Sequence, residues 1–82
     1  MVELTKYIVE QLVDDKSAID ITSSVDEAGV ETISIRVAEG DIGKVIGKQG
    51  KIAMSIRTLA KAVGIREGKK YNIEIQDRSE ER

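Results

Sequence analysis

The sequence predicts an α+β domain in which three helices cover one face of a three-stranded mixed sheet. Three observations carry this. Apolar residues recur at helical spacing in three segments and alternate with polar residues in three others, in the order α-β-β-α-α-β. The second and third strands are joined through two helices and so lie parallel, whereas a tight turn pairs the first two antiparallel. The 82 residues suffice for one core, with residues 1–76 as a single domain and 77–82 as a charged tail.

Leu4, Ile8 and Leu12, widened by Val9 and Val13, form the stripe of a helix over 2–13, which Asp14, Asp15 and Ser17 break. The two acids read as a solvated helix end. Ile19, Ile21 and Val25 alternate as a strand, Asp26-Glu-Ala-Gly29 makes a turn, and Ile33, Ile35 and Val37 alternate again. Asp41 is placed to cap a short helix carrying Ile42, Val45 and Ile46. A glycine loop interrupts. The longer helix beyond it carries Ile52, Ile56, Leu59, Ala60 and Val63 on one face, with Gly64 as its terminator. After a basic turn over 66–70, Tyr71, Ile73 and Ile75 alternate as the third strand, and nothing in the tail has a face to bury.

Composition excludes several functions. Histidine and cysteine are absent, which removes the usual general base, thiolate metal sites and disulfides. No catalytic site or cofactor is expected. The only aromatic residues are Tyr7 and Tyr71, too few for the stacking platforms of sheet-type RNA binders. No apolar run reaches the ~18 residues of a membrane span, and the amino end lacks a signal-peptide pattern, so a cytoplasmic location is expected. A domain this small also gains from self-association.

The net charge of -2 hides a polarity. Residues 42–70 hold eight basic side chains and one acid, a local charge of +7, against five basic and fourteen acidic residues elsewhere. Local field, not the total, decides where a polyanion docks. The centre of the basic segment is Gly43-Lys-Val-Ile-Gly-Lys-Gln-Gly-Lys-Ile52. A Walker A loop needs four residues between its first glycine and the Gly-Lys pair, then a hydroxyl; here three intervene and Gln49 follows Lys48. A dinucleotide fingerprint needs glycine where Val45 stands. What remains is Gly47-Lys-Gln-Gly50 between two helices. Glycines admit close approach of a nucleic-acid backbone, and the following helix offers unpaired N–H groups and a positive dipole end.

VIGKQGKI in an α-β-β-α-α-β order resembles a KH domain of the type II, mainly prokaryotic, topology. With the length and the stretch DIGKVIGKQGKIAMSIRTLAKAVG, the resemblance extends to the small stand-alone bacterial KH proteins of the KhpA family. It covers residues 2–75 and matches the loop pattern throughout. It implies a non-catalytic protein that binds single-stranded RNA as a post-transcriptional regulator or RNA chaperone. It further implies a homodimer and a heterodimer with a larger, KhpB-like KH protein. The expected RNA contacts are Gly47, Lys48, Gln49 and Gly50, with Lys44, Lys51 and Arg57 supplying charge.

Plainer readings compete. The glycines can serve only a helix–helix turn, and lysine runs are commonly solvated faces. The same fold can act as a protein-interaction scaffold for which RNA is incidental, although a scaffold has no need of a lysine-bearing glycine loop. Ile46, Ile52 and Ile56 read as core, while Val45 or Ile35 is the candidate floor of a base groove. Met54, Arg57, Thr58 and Lys61 fall opposite the apolar stripe, where Met54 is a candidate protein contact.

Overall fold

The structure, a computed structural model, describes residues 1–77. Its elements are α1 (Val2–Glu10), β1 (Asp20–Val25), β2 (Val30–Val37), α2 (Ile42–Ile46), α3 (Lys51–Glu67) and β3 (Lys70–Asp77). Short 3-10 turns at Lys16–Ala18, Glu39–Asp41 and Lys48–Gly50 join them. The sheet order is β1-β2-β3, with β1 antiparallel and β3 parallel to the central β2. This is the predicted α+β arrangement.

Alternation along the sheet separates two faces. Ile33, Ile35, Val37 and Ile73 point under the helices and join Val9, Val13, Val45, Ile56 and Ala60 in one core. On the opposite face, polar side chains of β2 and β3 pair across the strands. Arg36 Nε donates to Gln76 Oε1 at 3.3 Å, and Ser34 Oγ to Glu74 Oε1 at 3.5 Å. The β1–β2 turn forms as its sequence implies. Asp26 Oδ1 accepts from the backbone N–H of Ala28 and Val30, and Gly29 has φ +84°.

Several boundaries and burials differ from expectation, each for a local reason. α1 ends at Glu10, not Val13, because Gln11 and Leu12 bond to carbonyls three residues back and tighten the chain into a turn. Val13 is still buried beyond that turn, so its periodicity read through the helix end. Within α1 it is Thr5, not Leu4, that faces the core. Leu4 is exposed, while the Thr5 hydroxyl donates to the Met1 carbonyl at 2.8 Å and is satisfied in its buried position. Val25 pairs with Glu31 in the ladder but lies on the open half of an edge strand and is exposed. The third strand continues past Ile75 through Gln76 and Asp77. The rest of the expected tail, residues 78–82, lies outside the described residues.

The largest shift concerns α3. It runs through Gly64 to Glu67 and ends at Gly68, whose φ of +69° is a left-handed cap. Gly64 is an interior, buried position: a Cβ there would lie 2.5 Å from the Lys69 carbonyl oxygen. The missing side chain lets the chain fold back at once, with Lys69 N–H on the Gly64 carbonyl at 2.8 Å, so that β3 starts directly beneath the helix end. Arg66 and Glu67 therefore belong to the helix, and the basic turn is only Gly68-Lys69.

Candidate nucleic-acid interface

α2 is a helix of five residues that delivers the chain into the glycine loop, and α3 starts immediately beyond it. Gly47 closes α2 by donating to the Gly43 carbonyl at 2.8 Å. Its φ of 78° with ψ 171° lies in a region almost confined to glycine, and a Cβ would stand 2.5 Å from Ile52 Cγ1. Gly50 donates to the Gly47 carbonyl at 3.1 Å and has φ 75° and ψ 12°. A Cβ on Gly50 would meet nothing within 4 Å. The two glycines thus have different reasons: Gly47 permits close packing, whereas Gly50 supplies a left-handed turn under open space.

Between them, Gln49 is the non-glycine residue with positive φ, 58°. Three left-handed or glycine-type conformations in four residues turn the loop outward, with the Lys48 and Gln49 side chains exposed. No side chain caps α3, the Lys51 N–H bonds to the Lys48 carbonyl, and the positive end of the helix dipole faces the same loop. Lys51, also exposed, stands at that helix start. Lys48, Gln49, Gly50 and Lys51 are therefore brought together at the positive end of a 17-residue helix.

Arg57 lies farther along. At 100° and 1.5 Å per residue, Arg57 and Lys61 fall within about 20° of Gly50 on the helix wheel, about 10 and 16 Å along the axis. Both line a groove of about 680 Å³ between α3 and β3, with Ile65, Lys70, Tyr71 and Asn72 among its other walls. The Tyr71 hydroxyl donates to Glu67 Oε1 at 2.6 Å, which together with partial burial pushes the phenol up to about 12 and keeps it protonated. The apolar residues proposed from sequence for a base groove do not reach it. Val45 and Ile35 are fully buried, Ile35 because β2 is the central strand. The strand beside α3 is β3, an edge strand, and its residues Lys70–Asn72 were missed. The signal for them was the two-helix crossover, which returns β3 antiparallel to α3. Ile46, expected in the core, is instead exposed beside the loop, as is Leu59 on the outer side of α3.

Lys44 differs from the other lysines. Its Nζ is ion-paired with Asp14 and lies 3.3 Å from Asp41 Oδ1. These hydrogen bonds, that to Asp14 first, raise its pKa. Asp41 does not cap α2 with its side chain. Its Oδ2 instead accepts the backbone N–H of Asp15 at 2.9 Å. That bond is the main cause holding the Asp41 carboxyl below its ordinary value, against the opposing effect of burial. A carboxyl depressed in the folded state adds stability that is present above its unfolded pKa and lost as pH falls through its folded pKa. Asp14 and Asp15 are thus not merely a solvated helix end.

A helix-GxxG-helix unit packed on a mixed sheet, with the flanking strands parallel and a leading α-β element, defines a KH domain of type II topology. Residues 2–75 match the family described as KhpA/KhpB, KH domain, and the chain belongs to that family. Among its relatives, the RNA-binding protein KhpA of Caldanaerobacter subterraneus subsp. tengcongensis is 44% identical over 75 residues, 92% of this chain and 99% of the relative. The RNA-binding protein KhpA of Treponema pallidum is 44% identical over 75 residues, 92% of each chain. A crystal structure of a variant of Aquifex aeolicus Era bound to GDP and aluminium fluoride shares the fold, with a TM-score of 0.58 at 20% identity. The match covers 93% of this chain and 29% of that one. Among the described residues, no helix is long and apolar enough to cross a membrane.

Proposed function

We propose that this chain binds single-stranded RNA without catalysis, clamping the sugar-phosphate backbone at Gly47, Lys48, Gln49 and Gly50. The observation that carries this is the outward-turned loop at a helix start without a side-chain cap, where exposed Lys48 and Lys51 flank the positive end of α3. Donors, dipole and point charges converge there on one anionic strand. From that clamp a strand of about four nucleotides follows α3 past Arg57, and its unstacked bases enter the groove between α3 and β3. The names of the KhpA relatives as RNA-binding proteins support this reading.

Salt titration tests the clamp. Each phosphate neutralised on a single strand contributes a slope of about -0.7 to log K against log salt, so about four contacts give about -3. Affinity for single-stranded RNA is expected to fall about fiftyfold between about 50 and 200 mM salt, and duplex RNA of the same sequence to bind more weakly. A flat salt response, or equal affinity for the duplex, contradicts the clamp.

The same reading makes the protein a cytoplasmic post-transcriptional regulator or RNA chaperone that works in pairs. One clamp reads too few nucleotides to select among cellular RNAs, and joining two raises avidity without a new contact to RNA. Exposed Met54 and Leu59 on the outer side of α3 favour a homodimer through that helix. The matched family, which spans KhpA and KhpB, favours exchange with a larger KH partner. Sedimentation at micromolar concentration is expected to show a dimer; a monomer with full RNA affinity contradicts it.

A further inference from the structure

Asp41 is the one buried acidic side chain among the described residues, and RNA binding as described above makes no use of it. It sits at the start of α2, six residues before Gly47. A helix of five residues has almost no stability of its own, so tertiary ties fix its direction, and its direction fixes where the glycine loop points. Two such ties are visible. Val45 is fully buried in the core, and the Asp41 carboxylate joins α2 to the chain between α1 and β1. One oxygen of that carboxylate accepts from Asp15 N–H; the other faces Lys44, which in turn holds Asp14.

We propose that Asp41 is a positioning residue for RNA binding, a brace that aims the glycine loop, and that Lys44 serves this brace rather than a phosphate. The proposal rests on the clamp reading and makes a prediction opposite in sign to simple electrostatics. An acid on the helix that leads into a phosphate site weakens binding by repulsion, so its removal should tighten RNA binding. If the acid aims the loop, its removal lowers the fraction of molecules with a competent loop, and apparent affinity falls in proportion.

The test titrates a labelled single-stranded RNA of random sequence into Asp41→Ala, Asp41→Asn and Lys44→Met, at a temperature where circular dichroism shows each folded. Asp41→Ala is expected to bind about tenfold more weakly, the loss of one charge-assisted hydrogen bond from the competent state. Asp41→Asn keeps an acceptor for Asp15 N–H and is expected to lose less. Binding as tight as or tighter than the parent, by whichever Asp41 variant folds, overturns the positioning role. Lys44→Met is expected to leave the salt slope unchanged, whereas a slope shallower by about 0.7 makes Lys44 a phosphate ligand and overturns its part in the brace. Lys48→Asp/Gln49→Asp is run alongside. RNA binding that survives that double change overturns the clamp reading. Its loss there, with unweakened binding by a folded Asp41 variant, overturns the brace alone.

Discussion

Lys48→Asp/Gln49→Asp is expected to lose RNA binding by at least about 100-fold while keeping the fold. The change replaces a cation and a neutral donor by two anions at the point where the loop turns outward. Like charges forced together at an interface cost several kcal/mol, and about 3 kcal/mol is already more than 100-fold. The fold tolerates both replacements. Both side chains are exposed, and Gln49 has φ 58°, a left-handed conformation in which aspartate is enriched. Exposed substitutions of this kind stay within about 0.5 kcal/mol, a few degrees in melting temperature for a domain of this size. Fluorescence anisotropy with a labelled single-stranded RNA, beside a thermal melt, checks both halves. Wild-type affinity in a variant that melts normally removes the glycine loop from the RNA path.

How much of this was legible in the sequence depended on whether a signal was local. Alternation at Ile33, Ile35 and Val37 and the crossover through two helices were sufficient for the central strand and its parallel partner, because period and connection length constrain each other. The glycine loop was legible for the same reason: its spacing, charge and flanking helices all lie within ten residues. Distances through space were not. Lys44 counts as a phosphate ligand by charge, yet Asp14, thirty residues earlier, reaches it across the fold. Asp41 reads as a cap by type and position, yet its carboxylate turns away to Asp15. Gly64 and Gly68 both follow the last inward apolar residue of α3, so periodicity could not choose the terminator between them. The close approach of the Lys69 carbonyl to Gly64 decided it. The groove wall on β3 was not legible because the candidate floor Ile35 lies on the second strand, whereas the third one occupies the edge beside α3.

The two motif glycines are expected to fail in different ways when each is replaced by alanine. Gly47→Ala places a methyl in a backbone region that L-residues scarcely adopt, at about 1–3 kcal/mol. It also drives that methyl to 2.5 Å from Ile52 Cγ1 and 2.8 Å from Ile52 Cβ. The Cβ is fixed by the α3 backbone and cannot swing away, so overpacking adds about 1–3 kcal/mol. The sum is a large part of the roughly 4–12 kcal/mol available to a domain of this length. At about 4–8 °C per kcal/mol, the melting temperature should drop by about 10 °C or more. Gly50→Ala meets open space and bears only the left-handed penalty of about 1–2 kcal/mol, a smaller drop. In the proposed clamp the phosphate path runs through the open space over Gly50, however, so its methyl should weaken RNA binding even in fully folded protein. Thermal melts and RNA titrations well below both melting temperatures separate the two effects. Near-parental stability in Gly47→Ala rules out the Ile52 contact as the reason for that glycine. Parental affinity in Gly50→Ala means that the RNA backbone does not cross the loop at this residue.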